Sequence, residues 1–297
     1  MFTGLLFIIL AGFVAMAIGC VVSTVSARGC SFDLVQGLSY LLLMIGCMIA
    51  ALFRSWTGVS SRAMIAVALL ASLSGICSYL SYSMTARAMA RGPGGLIWGC
   101  VQAGLAGSFL MGIIAFGERA SWERVSGISL ILAGVMCISV SRDNGGGKYA
   151  PGWKWRTLAA FLLAVLSQIT CALPSFVPEA SACGILHRTL FSCVGSGLIF
   201  WSCSFPGIHP KTVLFSRAVW NFAVLLVLLF ILNSVFLLGG LDLLADHRMG
   251  SIGLPIAGGT SIASFAAYSI IFRHERPGRL SLTGLAALLA GCGMIAL

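Results

Sequence analysis

The chain reads as an all-α integral membrane protein, with ten transmembrane helices arranged as two inverted five-helix repeats. Three observations predict this. Of 297 residues, 59% are hydrophobic and 9% charged, where soluble domains carry about 25% charged residues; mean hydropathy is +1.03. Apolar runs near the roughly 20 residues that cross a bilayer core are separated mostly by short turns. Finally, one pattern occurs twice, without a gap, at an offset of 157 residues. It runs Glu118-Arg119, Gly127, Leu132-Ala133-Gly134, Ile138, and again Glu275-Arg276, Gly284, Leu289-Ala290-Gly291, Ile295. Apolar matches are cheap here, but the chain has only four glutamates. The aligned Glu-Arg pair and two glycines therefore carry the case for duplication.

In order, the first helix is the apolar run 2–25, closed by Arg28. The second spans 34–53 and the third 63–90, where Arg91-Gly92-Pro93-Gly94 breaks the chain because Pro and paired Gly end helices. The fourth is expected over 95–117 and the fifth over 125–140. Residues 142–156 are Gly-rich, polar and basic, and divide the chain into a first repeat, 1–141, and a second, 157–297. The second repeat holds helices over 157–177, 185–205, 212–244, 251–272 and 280–297. Five helices per half is odd, so the second half inserts upside down relative to the first. That is the plan of many secondary transporters, whose binding site lies near the midplane between halves. Ala88 and Arg91 align with Ala245 and Arg248 at the same offset, and Thr85 with Asp242.

The net charge of +10 suits loop arginines that face anionic lipid and set topology. Six Lys and Arg fall on the side bearing both termini and twelve on the other, so the positive-inside rule predicts both termini outside the cytoplasm. The eleven cysteines form no Cys-x-x-Cys pair and no metal-spaced cluster; most sit in apolar runs, where Cys is a small hydrophobe. Cys20 follows Ala17-Ile18-Gly19, but the preceding run lacks the basic start of a lipoprotein signal and reads as a helix.

The stretch Arg87-Ala88-Met89-Ala90-Arg91-Gly92-Pro93, followed by an apolar helix, Gly117-Glu118-Arg119 and Gly127…Gly134, resembles an EamA-type repeat of the drug/metabolite transporter superfamily. The second half, from Ala245 through Glu275-Arg276 to Gly291, resembles another copy, and together they cover nearly the whole chain. The resemblance implies a ten-helix carrier working by alternating access. Its cavity would be lined by the first, third and fourth helices of each half, with the fifth more peripheral. It departs from the superfamily in two ways. Ten-helix members mostly have cytoplasmic termini, and the proton-coupling carboxylate of small multidrug relatives has no counterpart, since the first helix contains no Asp or Glu.

Polar groups inside a span point to function, because each is costly unless it faces protein or water. On the third helix Ser74, Ser78, Ser81 and Thr85 share one face, with Tyr82 beside it; the stripe suits a cavity wall or close helix packing. Trp98 and Gln102 lie one turn apart on the fourth helix, where Trp98 equally suits the interfacial aromatic belt. In the second half Gln168, Asn233 and the row Thr260, Ser264, Tyr268 are the substrate-site candidates. Pro174 and Pro178 are expected to interrupt the sixth helix, as a hinge or a static bend. Asp242 is the best carboxylate for ion coupling. Arg87 and Arg217 either attract an anionic solute or snorkel to the headgroups.

The histidines at 187, 209, 247 and 274 fall at loops and helix ends without paired ligands, and no Walker motif is present. No enzyme, metal or other cofactor is expected. The expected function is secondary transport of a small organic metabolite, polar neutral or zwitterionic, around a midplane cavity bounded by the third, fourth, eighth and ninth helices. The expected setting is the bacterial inner membrane. Partners would be the solute, membrane lipids and, left open, a second copy in a homodimer, with no nucleic acid. The competing class is a non-transporting membrane protein: an assembly or sensory component, or a membrane-embedded enzyme.

Overall fold

A computed structural model of the chain describes residues 2–28, 30–53, 60–104, 107, 111, 121–140, 151–176, 183–204, 216–245, 250–274 and 278–296. Among them every regular element is helical. In order these are α1 (Phe2–Ala27), α2 (Phe32–Leu52), α3 (Ser61–Met89), α4 (Gly94–Gln102), α5 (Trp122–Val140), α6 (Trp153–Phe176), α7 (Ile185–Ile199), α8 (Arg217–Ala245), α9 (Gly250–Phe272) and α10 (Arg279–Ala296); a π turn, Phe200–Ser204, continues α7. Six of them, α1, α2, α3, α6, α8 and α9, are long and apolar enough to cross a membrane. Large apolar side chains such as Phe13, Met48, Leu69, Leu162 and Leu228 face outward, an arrangement water disfavours and lipid accepts.

Local chemistry sets the ends. Ser31 and Ser60 cap α2 and α3, their hydroxyls accepting from the backbone N–H groups of Leu34 and Ala63, donors the helix itself leaves unpaired. Before α6, Gly152 takes φ +88°, a conformation open to glycine at no steric cost. The helix then starts at Trp153, four residues ahead of expectation, and Thr157 Oγ1 donates to the Trp153 carbonyl. The last four residues of the expected linker are thus helical. Pro174 lies inside α6, which continues to Phe176, so the helix is not interrupted there. Pro178 is outside the described residues, as are the Glu118-Arg119 and Glu275-Arg276 pairs and most of the fourth helix beyond Gly104.

The packing is reciprocal. α3 lies on α6 and α7 as α8 lies on α1 and α2, and α1 lies on α9 as α6 lies on α4; α2 pairs with α7, α4 with α9 and α5 with α10. The α5–α10 crossing depends on glycine. A Cβ on Gly134 would stand 2.6 Å from the Gly284 carbonyl oxygen, and one on Gly291 would stand 2.5 Å from that of Gly127. Residues later on one helix meet residues earlier on the other, so the two run antiparallel. At the α3–α7 crossing, a Cβ on Gly75 or Gly195 would strike the carbonyl of Ser192 or Ser72.

Serine hydroxyls tie these close crossings to backbone carbonyls of neighbouring helices. Ser74 donates to Ser167 O at 2.9 Å and Ser167 returns a bond to Ser74 O at 3.1 Å. Ser81 reaches Ala160 O on α6, Ser196 reaches Gly75 O, and Ser39 reaches Ala223 O. Such bonds and small-residue contacts replace the hydrophobic drive that is missing between helices in lipid.

Candidate functional site

A cavity opens where α2 and α3 face α6, α7 and α8. Its wall carries hydroxyls from Ser74, Ser78, Ser167 and Thr170, the amides of Gln168 and Asn233, and the rings of Tyr40, Tyr82 and Phe230. It offers about 130 Å³ to water centres. One water needs about 10–15 Å³ in that measure, so the space suits roughly ten waters or one small organic solute. Tyr40 stacks on Phe230 with centroids 5.0 Å apart and Tyr82 stands 6.2 Å from the same ring. These rings form the floor, towards the end of the bundle where α2 begins and α3 ends.

The opposite end is charged. Arg188, on the first turn of α7, lines the cavity and is 4% exposed. Its Nε donates to Cys183 O at 3.0 Å and its Nη1 reaches Asp242 Oδ1 on α8 at 3.2 Å. Two buried oxygens of the wall, Gln168 Oε1 and Thr189 Oγ1, have no hydrogen-bond partner within the described protein. Buried polar atoms are satisfied in the great majority of cases, so these two are oriented to meet water or a solute.

The structure gathers part of the expected site and disperses the rest. Ser74, Ser78, Tyr82, Gln168, Asn233 and Pro174 share the cavity. Ser81 and Thr85 do not join them: Ser81 donates to α6, and Thr85 to the Ser81 carbonyl of its own helix. The third-helix stripe therefore serves both purposes: Ser78 lines the cavity, Ser81 and Thr85 make packing bonds, and Ser74 does both. Trp98 and Gln102 leave the cavity for the α4–α9 contact. Trp98 Nε1 and Gln102 Nε2 both donate to Ser261 Oγ, at 3.0 and 3.1 Å, and Trp98 is fully buried against Phe265. It is not in an interfacial belt.

On α9, Thr260 packs on Gly12 of α1, Ser264 bonds back to its own helix, and Tyr268 lies between Phe265 and Phe272. The expected boundary of third, fourth, eighth and ninth helices is corrected to α2, α3, α6, α7 and α8. Asp242 holds Arg188 at the cavity's charged end. Arg87, proposed to attract an anion or snorkel, instead binds Asp33 at 2.7 Å.

Sequence reasoning passed over the α2 contribution. Gln36, Ser39 and Tyr40 form a polar cluster in an apolar helix, a signal of the same kind as the third-helix stripe. Arg188 was counted only for topology, since nothing in the sequence sets it beneath Asp242.

Comparison with known proteins bears on the fold. No protein-family model matches the chain, and no curated protein matches it. A solved structure, described simply as the crystal structure of a protein, aligns over 97% of this chain and 95% of its own at 16% identity, with a TM-score of 0.59. The chain therefore shares its fold, end to end, with a protein of nearly the same extent.

Proposed function

We propose that the chain is a secondary transporter of a small organic metabolite, of the drug/metabolite type, with ten spans in two inverted five-helix repeats. The observation that carries this reading is the cavity itself. Its wall is polar and aromatic, it is drawn from α2 and α3 of one half and α6, α7 and α8 of the other, and it reaches towards one end of the bundle. The reciprocal helix pairing supports the duplication. The α5–α10 contact supports its inversion, because counterpart helices running antiparallel are related by an axis across the helix direction, in the membrane plane. The wall's hydroxyls and amides, with one arginine already held by a carboxylate, favour polar neutral or zwitterionic solutes.

The test has two stages. Thermal unfolding of the purified protein is screened against polar neutral and zwitterionic metabolites, and a stabilising solute is then assayed for counterflow in proteoliposomes. The reading requires that labelled solute accumulate transiently in vesicles preloaded with the unlabelled compound, by exchange for it. Solutes that bind and stabilise but never cross would instead favour a sensory or assembly role.

A further inference from the structure

Two ion pairs stand in a relation that neither shows alone. Asp33 on α2 binds Arg87 on α3, and Arg188 on α7 binds Asp242 on α8; each pair joins residues 54 apart in the chain. In the five-helix plan α7 and α8 are the counterparts of α2 and α3. Arg188 follows Asp33 by the same number of residues as Asp242 follows Arg87, so the second pair occupies the place of the first with its charges exchanged. A gapless offset of 157 had set Asp242 against Thr85. The ion pairs set it against Arg87, two residues further on.

The pairs sit at opposite ends of the bundle. Gly4, at the start of α1, packs on Leu243 and Leu244 beside Asp242, whereas Asp33 opens α2 just after α1 ends at Ala27. At 1.5 Å per residue this separates them by on the order of 30 Å, about the thickness of the hydrocarbon core. Each pair also bridges a sparsely packed seam. α2 rests mainly on α7 and α8, and α3 mainly on α6 and α7, so α2 and α3 touch little; α7 and α8 likewise touch little.

The pairs differ in what they border. Arg188 borders the cavity directly. Arg87 and Asp33 are cut off from it by Tyr40 and Tyr82, and line a separate depression at the other end. Each contact has a further bond beside it: Arg87 meets Asp33 at 2.7 Å and Ser83 Oγ also donates to Asp33, while Arg188 meets Asp242 at 3.2 Å and its Nε also donates to Cys183 O.

We infer that Asp33–Arg87 and Arg188–Asp242 are the two gates of alternating access, one at each end, and both contacts are made in this conformation. This rests on the transporter reading. Closure at one end ties the α2–α3 seam, and closure at the other ties the α7–α8 seam. The Asp33–Arg87 pair is partly exposed on both sides and holds only weakly, whereas Arg188 is buried and only Asp242 is reached by solvent, so the second gate is the costlier to open.

The test uses the full chain with Cys171, a residue of the cavity wall, as its sole cysteine. A membrane-impermeant maleimide is applied separately to each face of sealed vesicles. Asp33→Asn should raise labelling from the α1-end face, where Ala27 lies, by roughly fivefold, the population shift expected when a contact of ordinary ion-pair strength is lost. Asp242→Asn should move the balance towards the face where α1 begins. The exchange Asp33→Arg with Arg87→Asp, which copies the polarity of the other gate, should restore the native ratio, and equal melting temperatures exclude misfolding. Labelling from both faces that none of these substitutions alters would overturn the gates and leave the transporter intact. Labelling confined to one face in every variant would overturn alternating access as well.

Discussion

Gly134 meets the backbone of Gly284 as Gly291 meets that of Gly127, so one crossing is written twice in the same structure. Each glycine lies where a methyl group would press on a carbonyl oxygen. Gly134→Ala and Gly291→Ala should therefore destabilise the protein alike, each by about 1–3 kcal/mol, the usual result of overpacking a tight contact. Unfolding of the two variants in detergent checks this, and clearly unequal losses would show that the crossing is not symmetric in energy.

Ser261 holds two donors at once, and its loss should be felt as stability. Ser261→Ala removes both hydrogen bonds at about 0.6 kcal/mol each, the average for such bonds between membrane helices. Trp98→Ala opens a void and should cost about 3–5 kcal/mol. Trp98 stacks on Tyr82 of the cavity wall, but Ser261 does not line the cavity, so once a solute is identified its affinity for Ser261→Ala should equal that for the native protein, as calorimetry can show.

Cavity residues should behave in the opposite way. Ser78→Ala and Asn233→Ala remove polar groups from the wall, and each should weaken solute binding by roughly 2–10-fold, the usual range for one lost hydrogen bond. Melting temperature without solute should hardly change. Gln102→Ala serves as the contrast, with lower stability and native affinity.

Topology gives a fourth outcome. On the proposed ten-span plan twelve of the eighteen Lys and Arg fall on the side opposite the termini, so reporters fused to either terminus should both read as outside the cytoplasm. A pair of cytoplasmic signals would show that the arginine excess serves lipid or solute binding and does not set orientation.

The helices were legible in the sequence because lipid imposes one simple demand, an apolar stretch of sufficient length with short breaks. The Arg91–Gly94 break marked the end of the third helix, while the Ser31 and Ser60 caps and the crossing of the two glycine-bearing helices came only with the structure. The site was only half legible. Hydropathy shows that Trp98 and Gln102 need partners, and it cannot show that one hydroxyl, Ser261, satisfies both. The period of α3 sets Ser74, Ser78 and Ser81 on one face, yet only the packed bundle shows that Ser81 meets the Ala160 carbonyl of α6 while Ser78 lines the cavity. Arg188 and Asp242 are 54 residues apart, and only the packed bundle brings them together.

The reciprocal bonds between Ser74 and Ser167 have a mechanical consequence. Each hydroxyl is tied to the other residue's carbonyl, at one of the two most extensive contacts between the halves of the chain. Sliding α3 along α6 breaks both bonds at once, and no intermediate register reforms them. Turning one helix against the other about this contact leaves both in place. The pair is a pivot, and it lies in the wall of the cavity.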